Sequence, residues 1–399
     1  MQGLILRNKK ILISGQVLNS LTEMVEDYLK DKVNILCVIG ISSPYSTAGF
    51  ARMTNYQKGE LKFNKKIFNP FFNRPGRRSF YVWLFVFSIY FYSILKAAFR
   101  FKERFDIFVG VSCFSTFVGI ILKSLKVVNK VIYYSIDYFP LQHGNLSEYI
   151  MGKAFFILDR FCACFSDLVW HINPDITEAR YVFGGLDPSK YRSINVPLGY
   201  DEELSCPKTC LEIERYTLGF VGTLSPNQGL QMAIKAFTKI VGRYPQAKFE
   251  IIGDGIFGQE IRKMVKESPV KEHIILHGFI GDRKRVSQIL SHCTLGIAPW
   301  TMDVENNIKY ADPGKPKHYA FCGLPIIITR SNRIAFEIEQ MKAGIAINYD
   351  EAEFVEAITM LFEQDEILQE YKRNALKFAQ KYISSNIFRD AWEKSLKLL

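Results

Sequence analysis

From Lys10 onward the chain alternates short apolar runs with stretches of helical periodicity, and no other feature limits the possible folds as strongly. Short apolar strands joined by helices long enough to cross over build a parallel sheet with helices packed on its faces. In the first series the expected strands are Ile11 to Ser14, Val33 to Val38, Asp106 to Val111, Lys130 to Ser135 and Leu168 to Ile172. The helices between them include Leu18 to Leu29, Ser79 to Lys102 and Ser115 to Leu125, and a short strand near Val196 ends in Pro197-Leu198-Gly199.

A polar, charged stretch from Asp201 to Arg215 interrupts this pattern, and the alternation restarts at Tyr216. The second series of expected strands is Thr217 to Val221, Lys248 to Ile252, His273 to His277, Thr294 to Ala298 and Pro325 to Thr329. Its helices are Gly229 to Val241, Gly258 to Glu267, Arg283 to Leu290 and Gly314 to Phe321, with further helices from Glu351 to the end. At 399 residues the chain exceeds what one hydrophobic core normally supports. The expectation is therefore an α/β protein of two Rossmann-like, doubly wound domains, residues 1–205 and 206–384, with a final helix over 385–399 reaching back to the first. Two such domains are expected to face each other across a cleft, and a ligand to bind where the carboxyl ends of the strands open into it.

Lys and Arg total 51 against 40 acidic residues, a net charge of +11, which favours anionic partners such as phosphates or acidic lipids. Nucleic acid is not expected, because no nucleic-acid motif accompanies the charge. The eight cysteines lack paired C-x2-C spacing, so no zinc site is expected and the thiols are read as reduced, in a cytoplasmic protein. The N-terminus carries no secretory cleavage pattern.

The most specific stretch is Asp312-Pro313-Gly314-Lys315-Pro316-Lys317-His318-Tyr319-Ala320-Phe321-Cys322-Gly323-Leu324-Pro325, followed by the β-run Ile326 to Ile328. Asp312 suits an N-cap and Pro313 a first helical position. The unpaired amides of such a helix start attract a diphosphate, and Lys315 adds a full positive charge beside them. His318, one turn on, offers a donor or acceptor to a ribose or sugar hydroxyl. Read without the rest of the chain, the same stretch is a capped amphipathic helix with a surface lysine.

This run resembles the donor-site helix of GT-B glycosyltransferases of family 4. The resemblance extends to Phe220-Val221-Gly222-Thr223-Leu224-Ser225-Pro226-Asn227-Gln228-Gly229-Leu230, to Ile251-Ile252-Gly253-Asp254-Gly255 and to His277-Gly278-Phe279. It covers nearly all of the second domain and is weaker in the first, resting there on Val196-Pro197-Leu198-Gly199-Tyr200 and Tyr134-Ser135-Ile136-Asp137-Tyr138. The resemblance implies a nucleotide-diphosphate sugar held by the second domain and transferred, with retention, to an acceptor held by the first. It places Gly222 and Thr223 beside the phosphates and Phe279 near the base, with Gly253, Asp254, Lys309, Asp312, Gly314 and His318 completing the donor side. Lys315 and Asp137 are the expected catalytic residues, and Gly15 and His143 the acceptor-side ones. Three positions depart from the family pattern: Thr223 and Gln228 stand where many members carry Arg and Lys, and His318 where Glu is usual. With no D-x-D pair in either expected cleft loop, neither a metal nor any cofactor beyond the nucleotide-sugar substrate is expected.

Phe80 to Leu95 is an uncharged, aromatic run between basic flanks that include Lys58, Lys62, Lys65, Lys66, Arg74, Arg77, Arg78, Lys96, Arg100, Lys102 and Arg104. It is too short to span a bilayer. Aromatic residues between cations suit a helix lying on an anionic membrane surface, so residues 58–104 are the expected contact with the cytosolic membrane face, and a lipid-linked or glycan acceptor follows. A buried crossover helix is the competing reading. Two rival functions remain open at this point, a nucleotide-sugar 2-epimerase on the same architecture and a catalytically silent nucleotide-sugar-binding subunit, the latter motivated by Thr223 and Gln228.

Overall fold

The computed structural model describes residues 6–16, 20–41, 50–68, 88, 91, 92, 94, 95, 98, 99, 104–138, 146–205, 207, 214–302 and 307–399. The chain forms two compact units, Met1–Pro197 with Ser385–Leu399, and Leu198–Ser384. Most of the basic and aromatic run over 58–104, and His143, lie outside the described residues.

In the first unit the strands are β1 (Lys10–Gln16), β2 (Ile35–Ile41), β3 (Phe50–Gln57), β4 (Glu60–Phe68), β5 (Phe105–Val111), β6 (Val128–Ser135), β7 (Leu168–His171) and β8 (Ser193–Asn195). They pair in the order β4-β3-β2-β1-β5-β6-β7-β8. All neighbours are parallel except β2–β3 and β3–β4, which are antiparallel. The β3–β4 hairpin turns at Lys58 and Gly59, both at positive φ (51° and 85°), the backbone a two-residue hairpin turn demands. Lys58, Lys62, Lys65 and Lys66, expected in a basic flank, thus lie in a β-hairpin. The central strands are apolar because helices cover both faces: α1 (Ser20–Leu29), α2 (Cys113–Ser124), α3 (Leu146–Phe165) and α4 (Asp175–Gly184) follow β1, β5, β6 and β7 in turn.

Two features tie this unit together. Arg180 of α4, fully buried, forms a two-pronged ion pair with Asp159 of α3 (2.7 and 2.8 Å) and also donates to Ser135 Oγ at the end of β6 (3.1 Å). A buried charge is tolerated only when so matched. The last helix, α12 (Ser384–Leu398), belongs to this unit through Trp392, whose ring meets Trp170 of β7 edge-on at 5.2 Å. Trp170 Nε1 donates to Ser395 Oγ (2.9 Å).

The second unit is a six-stranded parallel sheet of β9 (Thr217–Val221), β10 (Lys248–Ile252), β11 (Ile274–Gly278), β12 (Leu295–Ala298), β13 (Ile326–Thr329) and β14 (Gly344–Ile347). The order is β11-β10-β9-β12-β13-β14. The crossover helices are α5 (Leu230–Arg243), α6 (Gly258–Glu267), α7 (Arg283–His292), α8 (Gly314–Phe321) and α9 (Arg333–Gln340); α10 (Glu351–Glu363) and α11 (Asp365–Gln380) follow. In chain order this is 3-2-1-4-5-6, which reverses direction between β9 and β12. A doubly wound sheet opens a crevice at that reversal, outside the carboxyl ends of its strands.

Candidate functional site

Three of the residues singled out from the sequence, Gly222, Gly253 and Lys315, lie together beside the end of β9, at the reversal. Val221 ends β9, and its N–H donates to the hydroxyl of Tyr319 in α8 (3.0 Å); that hydroxyl in turn donates to the Ile297 carbonyl of β12 (2.9 Å). One tyrosine thus fixes both switch-point strands and the helix that begins above them.

Beyond Val221 the chain turns through Gly222 at φ 149°, and beyond β10 through Gly253 at φ 140°. A side chain is excluded at Gly253: a Cβ there would lie 1.9 Å from the Gly222 carbonyl oxygen. The two turns are laced together by Gly222 N–H donating to Ile252 O (3.0 Å) and Leu224 N–H to Asp254 O (3.0 Å), and Gly253 N–H donates to Gly278 O after β11 (2.8 Å). Thr223 on this rim is exposed, and Phe279 is 79% exposed. Asp254 accepts from the Gly255 N–H (2.9 Å) and sits 3.4 Å from Arg262, and these contacts hold its carboxyl below the usual range.

Lys315 reaches this turn. Its Cε lies 2.7 Å from where a Gly222 Cβ would be, so the absence of a side chain at 222 lets the lysine in. Its ammonium donates to Gln228 Oε1 and lies over two aromatic rings, 4.1 Å from the Phe220 centroid and 5.2 Å from that of Trp300. Trp300 Nε1 donates to the same Gln228 oxygen (3.2 Å). Desolvation pushes the Lys315 ammonium down to about 7. Among the described residues its partners are aromatic faces and a neutral amide, with no anion beside it, so the site holds a cation that no described side chain neutralises.

The helix start differs from the sequence expectation by one residue, and the reason is a better use for Asp312. Pro313, with φ −71° and ψ 132°, is the N-cap of α8, and no side chain caps the helix. Asp312 is turned instead toward Lys317, whose ammonium donates to both its oxygens (2.6 Å each) and to Leu198 O (2.8 Å); Leu198 N–H donates back to Asp312 (2.6 Å). Burial raises the Asp312 carboxyl and lowers the Lys317 ammonium, and their mutual attraction opposes both shifts. Because Asp312 does not cap the helix, the N–H groups of Gly314 and Lys315 have no side-chain acceptor among the described residues, while Pro316 has no N–H to offer. Gly314 faces Leu198, whose Cδ2 lies 3.2 Å from the position a Cβ would take.

His318 is placed differently from the other donor-side residues. It is 7% exposed, its Nε2 is hydrogen-bonded to Ser287 Oγ of α7 (2.8 Å), and its ring packs on Tyr200 (4.9 Å). Burial, with Arg283 nearby, pushes the imidazole down to about 3, so it is neutral. Lys309 is exposed, with its ammonium 5.1 Å from the Tyr310 ring. In the first unit, Gly15 at the end of β1 faces inward: a Cβ there would meet Thr22 Oγ1 at 2.3 Å. Asp137 follows β6; solvent reaches it, yet desolvation by the protein around it raises its carboxyl.

His277, read with the base-side loop, is instead hydrogen-bonded to Glu250 and lines a cavity of about 580 Å³ with Thr217, Arg285 and Cys293. Thr217 opens β9 and Gly222 follows its last residue, so this cavity and the glycine turn lie at opposite ends of one strand. Sequence reading missed two residues of the site, Trp300 and the holding role of Gln228. Trp300 was legible in principle, as an aromatic just past the end of a strand beside the reversal.

Residues 215–364 match the model of the family described as glycosyl transferases group 1. The poly(glycerol-phosphate) alpha-glucosyltransferase of Bacillus subtilis (strain 168) is 23% identical over 176 residues. That match takes in 43% of this chain and 24% of the relative, so the chain spans about a quarter of that protein's length. Among solved structures, Anabaena Alr3699/HepE in complex with UDP matches with a TM-score of 0.70 at 16% identity, over 98% of this chain and all of that one. The sucrose-phosphate synthase (tll1590) from Thermosynechococcus elongatus matches with a TM-score of 0.72 at 12% identity, over 98% and 99% of the two chains.

Proposed function

With a group 1 glycosyl transferase domain over residues 215–364 and a GT-B fold throughout as the premise, we propose that this protein transfers a glycosyl unit from a nucleotide-diphosphate sugar to a glycan acceptor. The observation that carries this reading is Lys315: an ammonium with no anionic partner among the described residues, beside a glycine turn and an uncapped helix start, at the point where the sheet order reverses. Such a cluster suits a diphosphate, whose charge grows as the glycosyl bond breaks.

In this reading the glycosyl–oxygen bond to the diphosphate breaks while Lys315 and the Gly314 and Lys315 amides take up the charge left on the departing oxygen. The acceptor hydroxyl attacks from the same face and passes its proton to the departing diphosphate oxygen, which gives retention. Asp137, in the first unit, orients the acceptor. Thr223, Gly253, Asp254, Phe279 and Lys309 border the donor. The acceptor is lipid-linked and belongs to a cell-surface polysaccharide or glycolipid, with the enzyme working at the cytosolic face of an anionic membrane. The relative from Bacillus subtilis, named for a poly(glycerol-phosphate) substrate, supports a polymer acceptor.

The test is thermal stabilisation by a panel of nucleotide sugars, followed by transfer assays with the donor that stabilises most. Lys315→Ala is expected to abolish turnover while the unliganded melting temperature stays within a few degrees of the parent. Unchanged turnover removes Lys315 from the mechanism. Binding without transfer to any acceptor favours a silent binding subunit.

A further inference from the structure

Helix α3 (Leu146–Phe165) buries one face and leaves the other uncovered. Phe156, Asp159, Cys162 and Ala163 pack inward. Leu146, Ile150, Lys153, Ile157, Arg160 and Cys164 are all exposed, at steps of four, three, four, three and four residues. These steps follow the helical period, so the six lie in one stripe, about 27 Å long at the rise of an α-helix. The apolar members stand well out: Leu146 is 75% and Ile157 71% exposed, and Phe165 ends the helix at 58%.

A scattered exposed leucine needs no explanation, but exposed aliphatic side chains recurring along one helical stripe do. The charges identify its occupant. Among the described residues Arg160 has no ion pair, and the contact shown for Lys153 is with the Tyr149 ring at 5.6 Å. Among the α3 side chains whose surroundings are described, the sole carboxylate is Asp159, buried and consumed by Arg180. An aliphatic stripe carrying two cations and a flanking tyrosine has the composition of a helix lying in a lipid interface, its apolar side chains among the acyl ends and its cations at the head groups. No helix of the described residues is long and apolar enough to cross a membrane.

We propose that the exposed face of α3 docks the protein on an anionic lipid surface. This names the surface for the membrane-facing part of the proposed function, and rests on that part alone. A second exposed apolar pair, Tyr181 (59% exposed) and Val182 (61%), stands near the end of α4.

The full chain is tested by co-sedimentation with vesicles of phosphatidylcholine containing phosphatidylglycerol, and with phosphatidylcholine alone. Transfer to a water-soluble acceptor is measured in parallel. The parent is expected to partition to the anionic vesicles, and Lys153→Glu and Arg160→Glu each to lower the partition roughly fivefold or more, the size of a cation's contribution at such a surface. Ile157→Glu is expected to lower it at least as much, with melting and soluble-acceptor turnover unchanged for all three. A polarity-sensitive dye on Cys164, with Cys206 and Cys210 replaced by Ser, is expected to shift to shorter wavelength on the anionic vesicles. Parent-level partition by the variants places the contact elsewhere, for example in residues 58–104, and overturns the proposal. So does equal binding to neutral vesicles, absence of any binding, or dissociation of a dimer by Ile157→Glu in sedimentation velocity. Lost transfer with retained partition defeats the transferase reading and leaves the docking face standing.

Discussion

In the proposed transfer Lys315 is the charge that meets the diphosphate, and desolvation makes that charge conditional. With the ammonium near 7 in the unliganded protein, a share of molecules carry it neutral at neutral pH. A diphosphate bound there as proposed would restore the charge, so binding would take up a proton between the free pKa and the higher bound one. Nucleoside diphosphate affinity is therefore expected to fall up to about tenfold per pH unit above pH ~7, by linkage. Calorimetry in two buffers of different ionisation heat checks the proton uptake directly. Lys315→Arg, which stays charged, is expected to flatten that slope even if its larger head weakens binding overall. A slope that survives in the arginine variant assigns the proton to another group. The neighbouring departures from the family pattern have a physical sense here. Gln228 gives Lys315 a neutral acceptor where a second lysine would repel it, and it is held in turn by Trp300.

At the scale of elements, α8 serves two purposes: its first turn faces the glycine turn, and its second turn is anchored by buried polar contacts. The Asp312–Lys317 pair ties the helix start to Leu198, the first residue of the second unit. Removing one partner strands a buried charge, whereas replacing both removes the burden. Asp312→Asn alone is thus expected to destabilise the second unit by about 3–5 kcal/mol, and Asp312→Asn with Lys317→Met to recover most of that loss. Denaturant unfolding followed by hydrogen exchange in α8 measures both; additive losses would mean that the two residues act independently. This element also marks what the sequence could and could not disclose. The helix was legible from its Pro-Gly start and the β-run after it, and the β9 and β10 turns from their glycines. The cap was misassigned because an aspartate before a proline signals a cap by local chemistry alone, and here a lysine five residues later competes for it. His318 carried no sequence sign of its burial against Ser287, since the partner lies 31 residues away. The β3–β4 hairpin was hidden by its charge: a lysine-rich edge strand breaks the apolar pattern that marks central strands.

At the scale of the whole molecule, the order of the chain and the order of the folded units differ, because the last helix returns to the first unit. Residues 385–399 contribute Phe388, Ala391 and Trp392 to its buried set, and Tyr28 of α1 lies 5.9 Å from the Phe388 ring. Stability of the N-terminal unit therefore depends on the last residues of the sequence. Trp392→Ala is expected to cost the first unit about 3–5 kcal/mol, the usual loss for a buried aromatic, while hydrogen exchange in the β9–β14 sheet stays near the parent's. Trp392→Phe is expected to cost much less, because the ring can still meet Trp170 edge-on and Trp392 Nε1 has no hydrogen-bond partner to lose. Faster exchange in both sheets would mean that the two units unfold as one, and faster exchange in the second sheet alone would refute the assignment of α12 to the first unit.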